Sequence, residues 1–193
     1  MPRPSQEHKI LDAALHCFAQ RGYDGTRVKD IAECAGVTGG AIYRHYPSKE
    51  ALARELYGRF MRTYSDALQQ AASGNGPIGE RLRRCLSAAL TLYRANPAAM
   101  TFVLLRQHTF MPALPADFVY PVGVLERLIV EGQQSGTVRQ GDPKLLAAIF
   151  AGCLLRPLIV SQLVAKGSFD PLRDERHDET IMQAAWSAVA APT

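Results

Sequence analysis

The residues best placed to do chemistry in this 193-residue chain lie in one short stretch, residues 26–52. Three hydroxyl residues, Thr26, Thr38 and Ser48, each precede an apolar-periodic run, which is where helix N-caps stand. A helix N-terminus offers unpaired N–H groups that suit a phosphate. Lys49 adds a positive charge beside the third of these helix starts. The stretch therefore predicts contacts to the phosphates of a nucleic acid backbone.

Other kinds of chemistry find no support in the sequence. It lacks the glycine, serine and histidine motifs of α/β-hydrolases, zinc proteases, P-loop enzymes and dinucleotide-binding enzymes. The four cysteines are far apart and show no metal-ligand spacing: Cys17, Cys34, Cys85 and Cys153. We predict no catalytic residue, no metal and no cofactor, with reduced thiols in a cytoplasmic protein. A redox-sensing cysteine pair and an enzyme with a helical head remain as alternatives.

A tight turn between two predicted helices carries the strongest structural signal. Gly36 follows a helix predicted over residues 27–35, and glycine turns sharply without steric cost. Ala32 is small enough for the two helices to approach closely, and Ile42 can dock the next helix on a core. This is the pattern of a helix-turn-helix motif, whose second helix fits the major groove of DNA.

The exposed face of that second helix, predicted over residues 39–46, supplies candidates for reading bases. Arg44 can bond guanine through two hydrogen bonds, which discriminates by roughly 1–3 kcal/mol. The Gly39-Gly40 pair costs on the order of 2 kcal/mol in helix propensity against alanine, and a close approach to the duplex explains that cost. Thr38 completes the set of base-edge candidates. His45, Tyr43 and Tyr46 could instead be packing residues, and the hydroxyl residues could be caps only.

These residues resemble the tetracycline-repressor (TetR) family of bacterial transcriptional regulators. The shared residues are Gly22-Tyr23, Thr26, Asp30-Ile31-Ala32, Ala35-Gly36-Val37, Gly40, Tyr43, His45-Tyr46 and Lys49-Glu50-Ala51-Leu52. The resemblance implies that Lys49 and Tyr43 contact phosphates. The complete predicted DNA-binding set is Thr26, Arg27, Thr38, Gly39, Gly40, Tyr43, Arg44, His45 and Lys49. The second glycine at Gly39 departs from the family pattern, which bears on the operator that is read.

Bulk charge adds little to this prediction. The formal net charge of the chain is +4, but residues 1–50 hold seven Lys and Arg against six Asp and Glu. Because many basic proteins bind no nucleic acid, the DNA prediction depends on where individual side chains point.

The remaining periodicity predicts an all-α protein of about nine helices. Residues 1–52 form a three-helix DNA-binding head, and residues 53–193 form a helical bundle for ligand binding and dimerisation. No secretory signal is recognised at the N-terminus. The predicted helices span residues 6–21, 27–35, 39–46, 49–72, 78–95, 98–109, 118–134, 143–164 and 174–190.

The last two predicted helices indicate a homodimer. They combine apolar with small residues, which suits close packing in a four-helix bundle made by two copies. The apolar run 145–164 is about long enough to span a bilayer, but Arg156 near its middle would be costly in lipid, so we expect no membrane partner. The predicted dimerisation residues are Phe150, Cys153, Leu154, Leu158, Ile181, Ala185 and Val189.

Aromatic and apolar side chains of the body could also line a cavity for an effector. We expect a largely apolar small molecule, with Arg106, His108 and Arg156 as candidate polar anchors. The full predicted set is Phe60, Tyr64, Leu86, Tyr93, Phe102, Arg106, His108, Phe110 and Phe118. The sequence thus predicts a dimeric regulator of double-stranded operator DNA, a repressor that a ligand releases. An activator, or a regulator of this fold that responds to redox state or a partner, is the alternative.

Overall fold

The computed structural model describes residues 6–111, 114–163 and 169–192, and the described chain is helical. Within these ranges, Val138 and Ala190 form an isolated antiparallel β-bridge. The all-α prediction is confirmed. The helices are α1 Gln6–Gly25, α2 Val28–Ala35, α3 Gly39–His45, α4 Lys49–Ala72, α5 Ile78–Ala95, α6 Pro97–Leu105, α7 Gln107–Phe110, α8 Pro121–Gln134, α9 Pro143–Leu163 and α10 Asp178–Val189, and a 3-10 turn Glu175–His177 precedes the last.

Helix boundaries differ from the prediction where the backbone leaves helical geometry. Gly22 has φ 73° and ψ 162°, so the regular course of α1 ends there although the assigned helix continues to Gly25. The predicted sixth helix breaks at Arg106, whose ψ is 16°, and separates into α6 and α7. The next helix begins at Pro121 rather than Phe118, because proline suits the first helical position and has no N–H to leave unpaired.

The chain divides into two compact units. The head unit comprises residues 1–61 and 98–115, and the body unit comprises residues 62–97 and 116–193. The head unit therefore includes α6, α7 and part of α4, whereas the predicted head ended at residue 52. α4 contributes residues to both units, and the functional division at residue 52 stays a prediction.

The head unit is built around a small apolar core and a group of aromatic rings. Ile10 of α1, Ile31 of α2, Ile42 of α3 and Leu52 of α4 are each at most 1% exposed. Beside them five rings pack with centroids 5.3–6.4 Å apart. We call this group the head aromatic cluster: Phe18, Tyr23, Tyr57, Phe102 and Phe110.

The body unit is organised around α5, which contacts α8 and α10. Its buried stripe repeats at helical spacing and faces these neighbours. Polar links fix its C-terminal end: the Tyr93 hydroxyl donates to Asp170 at 2.8 Å, and Arg94 pairs with Asp178. At its N-terminal end Trp186 lies against Gly79, where a Cβ atom would meet the indole at 3.3 Å. The buried residues of α5 are Ile78, Leu82, Cys85, Leu86, Ala89, Leu90 and Tyr93.

α9 is the most apolar helix of the body unit. It runs through Pro157 without interruption. By length and composition, Pro143–Gln162 could cross a membrane, with a mean hydropathy of 1.8, and 28% of that window is buried inside the protomer. Much of an apolar helix is therefore uncovered in a single copy of the chain.

Candidate nucleic-acid interface

The turn between α2 and α3 has the geometry that the sequence predicts. Gly36 is left-handed, with φ 65° and ψ 36°. The N–H of Val37 donates to the Ala32 carbonyl at 3.0 Å, which closes the end of α2. Ile42 is 1% exposed and docks α3 on the head core. A glycine turn and an apolar anchor thus set the direction of α3.

α3 begins at a side-chain cap and directs polar residues outward. The Thr38 hydroxyl accepts the Ala41 N–H at 3.2 Å. Tyr43 is 55% exposed, and Arg44 and His45 are exposed beside it. These three side chains share a short surface strip with the glycines at the start of the helix.

Because Gly39 and Gly40 have no side chains, the α3 backbone lies at the surface at these two positions. A Cβ atom at Gly39 would meet nothing within 4 Å, and one at Gly40 would meet the Thr38 hydroxyl at 3.9 Å. The fold therefore has room for side chains at both positions. Their absence lets another molecule approach the α3 backbone closely.

Thr26 stands in a different place from the one predicted. It is 1% exposed, and its hydroxyl donates to the carbonyls of Cys17 at 3.1 Å and Gly22 at 2.7 Å. The cap of α2 is Arg27, whose N–H donates to the Asp30 carboxylate at 2.8 Å. The structure therefore corrects Thr26 from an exposed cap to a buried link between α1 and the start of α2.

Lys49 has two backbone partners that the sequence prediction did not include. Its ammonium group donates to the carbonyls of Tyr23 at 2.8 Å and Thr26 at 2.9 Å. It also lies 4.4 Å from the centroid of the Tyr23 ring, a cation–π contact. The side chain ties the start of α4 to the turn after α1, and its phosphate contact stays a prediction.

Tyr23 is a functional candidate that sequence reasoning missed. Its ring packs against Phe18 and, edge-on, against Phe110, while Lys49 and Arg106 approach it as cations. The Arg106 guanidinium also pairs with Asp24 at 3.2 Å. Arg106 and Phe110 thus contact the turn that precedes α2. No sequence signal marks these contacts, because the partners are far apart in the chain.

Tyr46 closes α3 and belongs to the packing, which was one of its two predicted roles. It is 7% exposed, and its hydroxyl donates to Glu7 at 3.3 Å. Burial and the neighbouring Glu7 carboxylate raise the pKa of Tyr46 to about 12. Glu7 also pairs with Arg59, so α1, α3 and α4 meet at this group.

The predicted effector residues are divided between the two units. Phe102 and Phe110 pack inside the head aromatic cluster, and Arg106 pairs with Asp24. In the body unit Tyr64, Leu86 and Tyr93 are buried and Phe118 is half-buried. Phe60 is half-buried in the head unit, and the side chain of His108 lies outside the described residues.

The predicted dimerisation residues need correction. Six of the seven are 8% exposed or less within their own protomer. In each helix, the apolar stripe that contains the most large residues faces the core. Of the set, Cys153 is half-buried. The six buried residues are Phe150, Leu154, Leu158, Ile181, Ala185 and Val189.

Another face of the same helices is uncovered. Leu145 is 59% and Ile149 is 42% exposed, and Cys153 continues this face one turn further along α9. On α10 the exposed positions Thr180, Ala184 and Ser187 recur at i, i+4 and i+7. We call these six residues the α9–α10 face.

Known proteins share both the head sequence and the fold. Residues 10–56 match the family model described as bacterial regulatory proteins, tetR family. The fatty acid metabolism regulator protein of Bacillus subtilis (strain 168) is 26% identical over 151 residues, which cover 76% of this chain and 78% of that protein. The HTH-type transcriptional repressor DhaR of Mycobacterium sp. (strain GP1) is 27% identical, covering 79% and 82%.

A solved structure extends the similarity to the whole chain. A tetR-family transcription regulator from Shewanella sp. PV-4 superposes with a TM-score of 0.75 at 27% identity, covering 98% of this chain and 100% of that one. These relatives are regulators of transcription rather than enzymes. Residues 10–56 therefore match the tetR family of bacterial regulatory proteins, and the chain as a whole shares its fold with a solved tetR-family transcription regulator.

Proposed function

We propose that the chain is a dimeric, operator-binding transcriptional repressor of the bacterial cytoplasm, released from DNA by a largely apolar small molecule. The observation that carries the proposal is the surface of α3. It combines an outward Tyr43-Arg44-His45 strip with two glycines at which a side chain would have room. That combination suits a helix that lies close against base edges in a major groove.

The division of labour on this surface follows from chemistry. Arg44 reads a base edge, because its planar guanidinium matches the two acceptors of guanine. Tyr43 and Lys49 position the helix on phosphates, which carry no sequence information. Arg27, Thr38 and His45 add contacts at the helix starts and at the end of α3. Thr26 contributes by holding α1 and α2 together rather than by touching DNA.

Dimerisation supplies the second copy of α3 that a specific site requires. The α9–α10 face is the proposed interface, since it leaves large apolar residues of α9 exposed beside small residues of α10. A second copy of the chain covers such a face as one half of a four-helix bundle. The exposure of Leu145 and Ile149, on a helix whose apolar window is 28% buried within the protomer, supports this assignment.

The effector is proposed to bind among the predicted pocket residues of the body unit, chiefly Tyr64, Leu86, Tyr93 and Phe118. Their aromatic and apolar character favours a ligand with a hydrocarbon portion. The Bacillus relative is named for fatty acid metabolism, so fatty acids and their coenzyme A thioesters are the first compounds to test. The DhaR relative is named a repressor, which supports release rather than recruitment as the response.

The decisive experiment selects bound sequences from a random pool of double-stranded DNA. The expected product is a pseudo-palindrome with two half-sites, and its binding measured by fluorescence anisotropy should weaken steeply as salt is raised. Addition of acyl compounds to the complex should then lower the anisotropy. A pool that remains random after selection would overturn the DNA assignment, and an unaltered complex across the acyl series would overturn the effector class.

A further inference from the structure

A cavity of about 470 Å³ lies in the body unit between the start of α5 and one face of α10. On the α10 side it is lined by Glu179, Met182, Gln183 and Trp186, which recur at i, i+3, i+4 and i+7 and so share a single helical face. Residues of segment 77–83 line the other side. The volume falls within the roughly 300–1,000 Å³ of pockets that hold small molecules. Its described lining residues include none of those proposed above for the effector or for DNA.

Trp186 is the largest side chain that lines this cavity. Its indole lies against Gly79, where a Cβ atom would meet the ring at 3.3 Å, so the missing side chain lets the ring rest close to α5. The ring is half-buried, and the buried Met182 and Phe150 line the cavity with it. An indole beside a thioether favours aromatic and hydrocarbon groups. The face of a tryptophan ring also attracts a cation better than the other aromatic side chains do.

The charged residues of the cavity leave an excess of negative charge. Arg83 is already committed, because it donates hydrogen bonds to both carboxylate oxygens of Glu179. Glu80 is exposed and lies outside the ion pairs that α5 forms with other described residues. Two carboxylates therefore face one guanidinium, although the chain as a whole carries a net charge of +4.

A second arginine near Glu80 does not reverse this balance. Arg84 and Glu80 both approach the position that a Cβ atom of Gly76 would occupy. The Arg84 guanidinium donates to the carbonyls of Ala71 and Ser73, at the C-terminal end of α4. Because the dipole of a helix is negative at that end, the arginine is offset where it lies.

We propose that this cavity binds a small organic cation, in which an aromatic or hydrocarbon portion carries a positive charge. The apolar portion packs on Trp186 and Met182, and the charge lies near Glu80 and the face of the indole. An anion of the same shape is disfavoured, since the single guanidinium is held by Glu179. This inference goes beyond the proposed function, because neither the surface of α3 nor the proposed effector residues take part in it.

The test compares tetraphenylphosphonium, a cation, with tetraphenylborate, an anion of the same shape, on the full chain in a potassium-free buffer. Isothermal titration calorimetry should show one phosphonium bound per chain, with a Kd about tenfold lower than that of the borate or better. The indole N–H resonance of Trp186 in a ¹⁵N-labelled sample should shift as the cation saturates. Because the ligand contacts both α5 and α10, it should also raise the thermal midpoint.

Variants of the lining residues separate charge from packing. Glu80→Gln keeps the size of an exposed side chain, and should weaken phosphonium binding about two- to fivefold while leaving borate binding no weaker. Trp186→Leu should weaken phosphonium binding by at least about fivefold. Asp66→Asn is the matched control: it removes an exposed carboxylate of the body unit that does not line the cavity, and its affinity should equal that of the parent.

Each contrary result removes a stated part of the inference. Equal affinity for phosphonium and borate would exclude a site selective for cations. Phosphonium binding that leaves the Trp186 resonance unshifted would place the ligand elsewhere on the chain. Binding by a monomeric Ile149→Glu variant but not by the parent would mean that a second copy of the chain fills the cavity. No DNA enters these measurements, so failure of the operator selection would leave their outcome intact.

Discussion

Two cations of the head unit show how similar side chains take different roles. Arg44 extends from α3 into solvent, whereas the ammonium group of Lys49 is held by the carbonyls of Tyr23 and Thr26. A side chain without internal contacts can be committed to a ligand without cost to the fold. One that donates to two part-buried carbonyls contributes to stability as well, so substitutions at the two positions should separate binding from folding.

Arg44→Ala should relax the preference for one base pair in each half-site. The loss of a bidentate contact with guanine corresponds to roughly 1–3 kcal/mol of discrimination. The measurement is anisotropy over a panel of operators with single-base changes. Arg44→Lys is the matched control, because it keeps the charge and loses the planar fork: its overall affinity should hold better than its specificity. Equal preferences in all three proteins would remove Arg44 from the reading set.

Lys49→Met should lower the free energy of unfolding by about 1–3 kcal/mol, because two carbonyls lose their charged donor. Urea denaturation followed by circular dichroism measures this. Lys29→Met is the control: that side chain is 84% exposed and pairs with Glu33 at 3.8 Å, so stability should change by less than about 0.5 kcal/mol. If Lys49 also neutralises a phosphate, the salt slope of DNA binding should decrease by about 1. An unchanged slope would leave it a structural role only.

At the scale of elements, α3 and its turn depend on glycine in two opposite ways. Gly36 adopts a left-handed backbone that other residues reach at a cost of roughly 1–2 kcal/mol. Gly39 and Gly40 lie in ordinary helix with room for a Cβ atom. Gly36 is needed for the backbone conformation of the turn, whereas Gly39 and Gly40 leave the surface of α3 without side chains at those positions.

Substitution by alanine should therefore have opposite effects at these positions. Gly36→Ala should destabilise the chain by about 1 kcal/mol or more. Gly40→Ala should stabilise it by roughly 0.5–1 kcal/mol through helix propensity and yet weaken operator binding, since the added methyl group projects from the DNA-facing surface. Thermal unfolding and anisotropy on the same samples measure both. Tighter binding by Gly40→Ala would contradict the close approach of α3 to DNA.

Local rules explain which elements the sequence predicted well. The Gly36 turn, the Thr38 cap and the buried Ile42 each depend on neighbours a few residues away, and all three occur in the structure. The break at Arg106 was missed because it accompanies contacts with Asp24 and Tyr23, 82 and 83 residues earlier in the chain. Helical periodicity alone continues through that point, so no local signal could reveal it.

For the whole molecule, the sequence placed the proposed interface on the last two helices but named residues that face the protomer core. A periodic pattern shows which residues share a face, and α9 carries large apolar residues on both its buried and its exposed face. Large residues such as Phe150 and Leu154 face the protomer core, which leaves Leu145, Ile149 and small residues outside. Deciding between the faces requires the positions of α5 and α8, which the sequence of α9 does not contain.

Ile149→Glu should convert the dimer to monomers, because it places a charge in the middle of the α9–α10 face. Light scattering after size-exclusion chromatography should show about half the mass, and operator affinity should fall by at least tenfold, since one α3 reads a single half-site. Phe169→Glu is the control: Phe169 is also an exposed apolar residue, 46% accessible, but it lies outside both helices. A dimer that survives Ile149→Glu would place the interface elsewhere.

The contact between Trp186 and Gly79 gives this protein an optical label of its own. The chain has a single tryptophan, so its emission reports on one location, the packing of α10 against the start of α5. Far-ultraviolet dichroism, by contrast, averages over every helix of both units. If fluorescence and dichroism change at the same urea concentration, head and body unfold as one cooperative system. Separate midpoints would mean that DNA reading and dimerisation are stabilised independently.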